Sequence, residues 1–108
     1  MTSPTVPSPL DRLIAAVNAG EVEAFLDFFA ADGVVDDWGR EFRGCEAVRG
    51  WSDREFIGSA VTLRVTAVAQ NGAEVVVSAE VGGDGFNGPS DFAFTVEDEL
   101  VRRMRITG

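Results

Sequence analysis

The sequence predicts an α+β domain in which three N-terminal helices pack on the concave face of a curved, mostly antiparallel sheet. Three observations carry this reading. Apolar residues recur at helical spacing from Leu10 to Phe29. After Gly58 the period shortens to two and persists to the end of the chain. Asn71-Gly72 falls between two alternating runs, where it marks a hairpin turn. Helices first and strands afterwards describe segregated layers rather than alternating βαβ units.

The chain has 108 residues, which suits one domain. A domain of this size buries roughly two-thirds of the surface its unfolded chain exposes. Its hydrophobic fraction of 45% is that of a folded protein. Residues 1–8 are rich in Pro and hydroxyl side chains and read as a disordered tail, with 9–108 forming the single domain.

The first helix begins at Ser8-Pro9-Leu10-Asp11, with Ser8 as its cap and Pro9 in the first turn. Leu10, Leu13, Ile14 and Val17 form its apolar stripe, and Gly20 its left-handed end. A second helix repeats the spacing with Val22, Phe25, Leu26 and Phe29, widened by Phe28, and stops at Asp32-Gly33. A short strand follows, Val34-Val35-Asp36-Asp37, ending on two acids beside Trp38-Gly39. Side chains alternate along a strand, so Val35 and Asp37 face the core and Asp36 faces water. Glu41-Phe42-Arg43 reads as a further short strand. A third helix runs from about Cys45 to Phe56 and places Ala47, Val48, Trp51 and Glu55 on one side.

Four strands complete the chain. The first sets Val61, Leu63, Val65, Ala67 and Ala69 on its inner face, and the second Val75, Val77, Ala79 and Val81. A mobile Gly-rich loop, 82–90, carries Phe86 towards the mouth of any cavity. Phe92, Phe94 and Val96 alternate on the third strand. On the last, Leu100, Arg102, Met104 and Ile106 share one face, opposite Val101, Arg103 and Arg105.

Charge narrows the possible partners. Eighteen acids oppose nine cations, a net charge of −9, which argues against nucleic acid and anionic membrane surfaces. All the cations are arginine, and His, Lys and Tyr are absent. A Ser-His-Asp triad, a His-ligated metal and a Schiff-base lysine are therefore excluded within one chain. No nucleotide loop or metal-ligand set occurs, so no cofactor is expected. Cys45 is the sole cysteine and reads as a small buried apolar residue. Without a signal-like N-terminus or a bilayer-length apolar run, the expected location is the cytoplasm.

The lines from Leu13 to Glu21, from Phe29 to Asp37 and from Gly39 to Val48, with this element order, resemble the NTF2-like superfamily, and within it the SnoaL-like and ketosteroid isomerase-like group. The resemblance spans about residues 9 to 107. It implies a cone-shaped fold with one apolar pocket, expected here to be lined by Leu13, Val17, Phe29, Val35, Trp38, Trp51, Glu55, Phe92 and Phe94. It also implies that Asp37 stands where the isomerases keep their catalytic base. The isomerases' oxyanion donors are not matched, since Leu13 and Phe92 fall at those positions, which weighs against steroid isomerisation. Cyclase or hydrolase chemistry requires another polar partner for Asp37, for which Arg64, Glu55, Glu80 and the Trp38 N–H are candidates.

Three functions fit these residues. Asp37 acts as an acid/base group on a small apolar molecule, in isomerase, cyclase or hydrolase chemistry. Alternatively, the pocket holds such a molecule without turnover. In the third, the open sheet face, with Thr62, Thr66, Arg103 and Arg105, forms a homodimer. Asp37 also has a simpler reading, as an acid that fixes the turn at Gly39-Arg40 or pairs with Arg40 or Arg43. For Glu55 the simpler reading is a rim residue paired with an arginine.

Overall fold

The computed structural model describes residues 4–108. Its elements are α1 (Leu10–Asn18), α2 (Val22–Asp27), β1 (Phe29–Asp37), β2 (Arg40–Arg43), α3 (Cys45–Glu55), a 3-10 turn (Ile57–Ser59), β3 (Thr62–Asn71), β4 (Glu74–Gly82), β5 (Gly88–Glu97) and β6 (Leu100–Thr107). The strands form one open, curved sheet in the order β2-β1-β6-β5-β4-β3. Every pair is antiparallel except β1 with β6. This is the predicted α+β architecture.

The helical stripes fold as their spacing requires. Leu10, Leu13, Ile14 and Val17 are buried on α1, and Phe25 and Leu26 on α2. Gly20, at φ +72°, ends α1 in a paired-bond cap: its N–H donates to Val17 O (3.0 Å) and the Glu21 N–H to Ala16 O (2.9 Å). At the other end, Ser8 makes no capping bond. Its hydroxyl instead accepts from Arg12 Nη2 (3.2 Å), and the Pro7 carbonyl accepts from the Leu10 N–H (2.9 Å). Of the expected tail, residues 1–3 lie outside the described residues, while Val6 packs against the core.

α2 is shorter than its apolar pattern suggests. Phe29 leaves the helix and opens β1, where it is the register partner of Val101 on β6. The register shifts between Phe29 and Val34. Within that shift Gly33 is packed so closely that an added Cβ would lie 3.0 Å from both the Ala30 and Val101 carbonyls.

Bulges explain two further departures from simple alternation. In β3 the register slips between Val65 and Ala67, so Thr66 is supernumerary. The inward face therefore passes to Val68, which packs on the core, while Ala67 and Ala69 are exposed. Between Thr95 and Val96 the partner strand β6 gains a residue, Arg102. Val101 then turns inward and is fully buried with Met104 and Ile106, whereas Leu100 is exposed. Cys45 is exposed at the start of α3, not buried, because α3 directs Val48 and Trp51 inward and leaves its first turn in solvent.

The core lies between the helices and the concave face. Phe25, Val35, Val101, Trp51 and Phe94 are each at most 1% exposed. Burying a side chain of this kind contributes about 1.5–3 kcal/mol. The free edge of β3 is partly covered by Asn18, whose amide donates to Leu63 O (3.0 Å) and accepts from the Leu63 N–H (2.7 Å). No helix among the described residues is long and apolar enough to cross a membrane.

Candidate functional site

β1 and β2 join through a two-residue turn, Trp38-Gly39, with Asp37 and Arg40 as register partners. Both turn residues have positive φ, +54° and +90°, the conformation of a twisted hairpin. The turn is fixed by Asp36, whose Oδ1 accepts from the Gly39 N–H (2.8 Å). Asp36 Oδ2 accepts from Arg103 Nη2 (2.9 Å), which also donates to Glu41 (2.7 Å). The turn-fixing acid is therefore Asp36, and it is ion-paired rather than facing open water.

Asp37 is thereby left for the other face. Its Oδ2 accepts from Arg40 Nη2 at 2.6 Å and from the Trp51 indole N–H at 3.1 Å. Its Oδ1 has no hydrogen-bond partner among the described residues. The indole donor is Trp51, carried on α3, and not Trp38, whose side chain lies in the exposed turn. Arg40 is forked onto Glu55, with Nη1 to Oε2 at 3.1 Å and Nη2 to Oε1 at 2.7 Å. The hydrogen bonds from Arg40 hold the Glu55 carboxyl below its usual range, and those to Glu55 and then Asp37 hold Arg40 above its own. One arginine thus locks two acids, and Phe42 supports its guanidinium at 5.7 Å.

These residues border a cavity of about 390 Å³ between α3, the 3-10 turn and the inner faces of β4, β5 and β6. Its apolar wall includes Trp51, Phe56, Phe92 and Ile106. Trp51 and Phe56 stack at 4.8 Å, and Phe56 meets Phe92 at 6.3 Å. Trp38 and Phe86, 63% and 58% exposed, stand at the solvent end. Phe86 belongs to the β4–β5 loop, which is pinned at several points. Asn87 Nδ2 donates to Gly83 O and Gly85 O, and the Asp84 N–H to Ser59 O at 2.8 Å.

Of the expected pocket residues, Asp37, Trp38, Trp51, Glu55 and Phe92 border this cavity. Leu13, Val17, Val35 and Phe94 do not; they fill the core, and Phe29 packs against it, edge-on to Phe25 at 5.2 Å. The narrow end of the cone is plugged by these side chains, so the open space is displaced towards the strand ends. Arg64 and Glu80 are register partners on exposed positions of β3 and β4 and do not reach the cavity. Sequence reasoning missed Ser90 and Arg54 as cavity residues. For Ser90 a signal existed, since it lies in phase with Phe92 and Phe94 on the inner face of β5.

A family model for the SnoaL-like domain matches residues 10–104. The chain belongs to the SnoaL-like family. This SnoaL-like chain also matches solved structures of the same fold. One, from Sinorhizobium meliloti and provisionally named a polyketide cyclase, shares 22% identity with a TM-score of 0.83 over 94% of this chain and 95% of its own. A protein with a ketosteroid isomerase-like fold from Catenulispora acidiphila, in complex with trimethylamine, shares 24% at a TM-score of 0.81, covering 96% and 87%. A Mycobacterium tuberculosis protein in complex with estradiol-17β-hemisuccinate shares 19% at 0.76, covering 92% and 89%. At these identities the likeness establishes the NTF2-like fold of the SnoaL-like chain. No curated protein matches it.

Proposed function

We propose that the cavity binds a small, mostly apolar molecule and that Asp37 acts on it as a general base, or as activator of a water, in isomerase, cyclase or hydrolase chemistry. The observation that carries this reading is the asymmetric tether of Asp37. One carboxylate oxygen is held by Arg40 and Trp51, and the other has no partner among the described residues. A base needs both features: an orientation set by neighbours, and an oxygen left to take a proton. An aromatic wall beside it suits an apolar substrate. A fold relative in complex with a steroid conjugate is consistent with an apolar ligand.

The test is a turnover screen of apolar lactones, enones and epoxides with the unmodified protein and Asp37→Asn. Turnover that falls at least about a hundredfold in Asp37→Asn, with binding retained, is the expected result. Binding of a screened molecule without turnover by either protein would replace catalysis with ligand storage or sensing.

A second reading concerns the convex face, which we propose pairs with a second copy of the chain. It rests on Ala69 and Val76, register partners on β3 and β4 that lie on the outer face, the first exposed and the second half-buried. These short side chains leave an apolar spot among polar neighbours on that face, which suits close approach of a second copy. A dimer by analytical ultracentrifugation at micromolar concentration is expected, and Val76→Glu should dissociate it. A strictly monomeric protein would remove this reading.

A further inference from the structure

We propose that the Ser90 hydroxyl is a ligand-binding group, and that it hydrogen-bonds the hydroxyl or carbonyl oxygen of a flat apolar molecule whose ring body rests on Trp38 and Phe86. The proposal deepens the preceding one and rests on the reading that the cavity takes a small apolar molecule.

Ser90 faces inward on β5, opposite Ala79 of β4, and is only 5% exposed. It borders the cavity. Among the described residues its Oγ has no hydrogen-bond partner, and yet no fully enclosed side-chain polar atom there is unpaired. The hydroxyl is thus reached from the cavity. For packing alone an alanine would serve as well, since the hydroxyl makes no hydrogen bond to the described residues. Its in-phase neighbours Phe92 and Phe94 are apolar, so nothing in the local pattern calls for a polar atom. A ligand oxygen would supply the missing partner.

The mouth defines the rest of the molecule. A Cβ built on Gly108 would lie 3.4 Å from both the Ser90 hydroxyl and the Trp38 ring, so the two side chains flank one backbone position. Trp38 keeps its place in a left-handed conformation that its side chain disfavours. Phe86 lies over Gly88, where a Cβ would come within 3.2 Å of the ring. Two exposed aromatic faces at the opening and a buried hydroxyl within suit a planar molecule with an oxygen at its inner end.

The experiment is an NMR titration of the full chain with naphthalene and with 2-naphthol, read on the Trp38 and Trp51 indole N–H signals. The unmodified protein should bind 2-naphthol roughly threefold to tenfold more tightly than naphthalene. In Ser90→Ala that preference should fall to near unity while naphthalene affinity holds. Ser90→Cys, close in shape but a weaker donor, should also lose it and guards against a packing artefact. If naphthalene binds and the preference for 2-naphthol survives in Ser90→Ala, the Ser90 assignment is overturned and the apolar-cavity reading stands. Loss of the preference in Asp37→Asn but not in Ser90→Ala likewise overturns it, moving the contact to Asp37. If neither compound shifts either indole signal, the cavity reading falls and this inference with it.

Discussion

Trp38 sits where a two-residue hairpin wants Asn or Gly. Its φ of +54° places a bulky side chain in the left-handed region, which disfavours it by about 1 kcal/mol. Trp38→Asn creates an Asn-Gly turn and should raise stability by about 0.5–1 kcal/mol in urea unfolding. The same substitution should weaken naphthalene binding, because it strips one aromatic face from the mouth. Trp51 makes the opposite case. It is 1% exposed and donates its indole N–H to Asp37. Trp51→Phe keeps most of the packing and removes that bond, for an expected loss of about 1–2 kcal/mol. Part of this site was legible in the sequence. An acid at a strand end, in phase with Val35, pointed inward, and Arg40 stood within pairing distance of it. Which indole would reach the acid was not legible, since Trp51 arrives from a helix whose placement depends on tertiary packing.

At the level of elements, the helical stripes, the α3 boundaries and the β3–β4 hairpin could be read from periodicity because each is a local pattern. The bulges could not. Thr66 and Arg102 each add one residue to a strand, and every side chain beyond changes face, with no mark in composition. That is why Val101 and Val68 turn inward against simple alternation. The end of α2 also escaped the pattern, because Phe29 suits either a helix stripe or an inward strand position. The cap of α1 is the local device most open to test. Gly20 has free space around its Cα, so Gly20→Ala meets no clash and reports the backbone conformation alone. A loss of about 1 kcal/mol is expected, measured by thermal or urea unfolding.

Across the whole molecule, α3 is clamped by two arginine–glutamate pairs. Arg49 is forked onto Glu23 of α2 at 2.6 and 2.9 Å, and Arg40 of β2 onto Glu55. Hydrogen bonds from the arginines lower both glutamate pKa values. A carboxyl whose folded pKa lies below its unfolded one adds stability above the ordinary glutamate range. That stability is lost as pH falls through the lowered folded values. The pairs are solvent-exposed, so the effect is small and screened by salt. Urea midpoints followed from pH 7 to pH 3 should decline in this acid window, and Glu55→Gln should flatten part of the decline while lowering the plateau at pH 7. The expected cone was legible at this scale because segregated helices and strands have few compact solutions. Where its free space would lie was not, because that depends on which side chains plug the narrow end.

The parallel pairing of β1 with β6 bears on how the protein is made. Asp36 and Arg103, which join these strands, are 67 residues apart in the chain. During synthesis β1 emerges with only β2 beside it, and its other flank stays open until β6 has also been made. Asp37 has Ile106 as its parallel neighbour, and Ile106 is also a wall of the cavity. The acid, the wall and the hydroxyl of Ser90 therefore come together only once β6 has been made. Loop closure over such a span is slow relative to local helix and hairpin formation. Until β6 arrives, a nascent chain carries helices and hairpins but not the surface that packs beside Asp37.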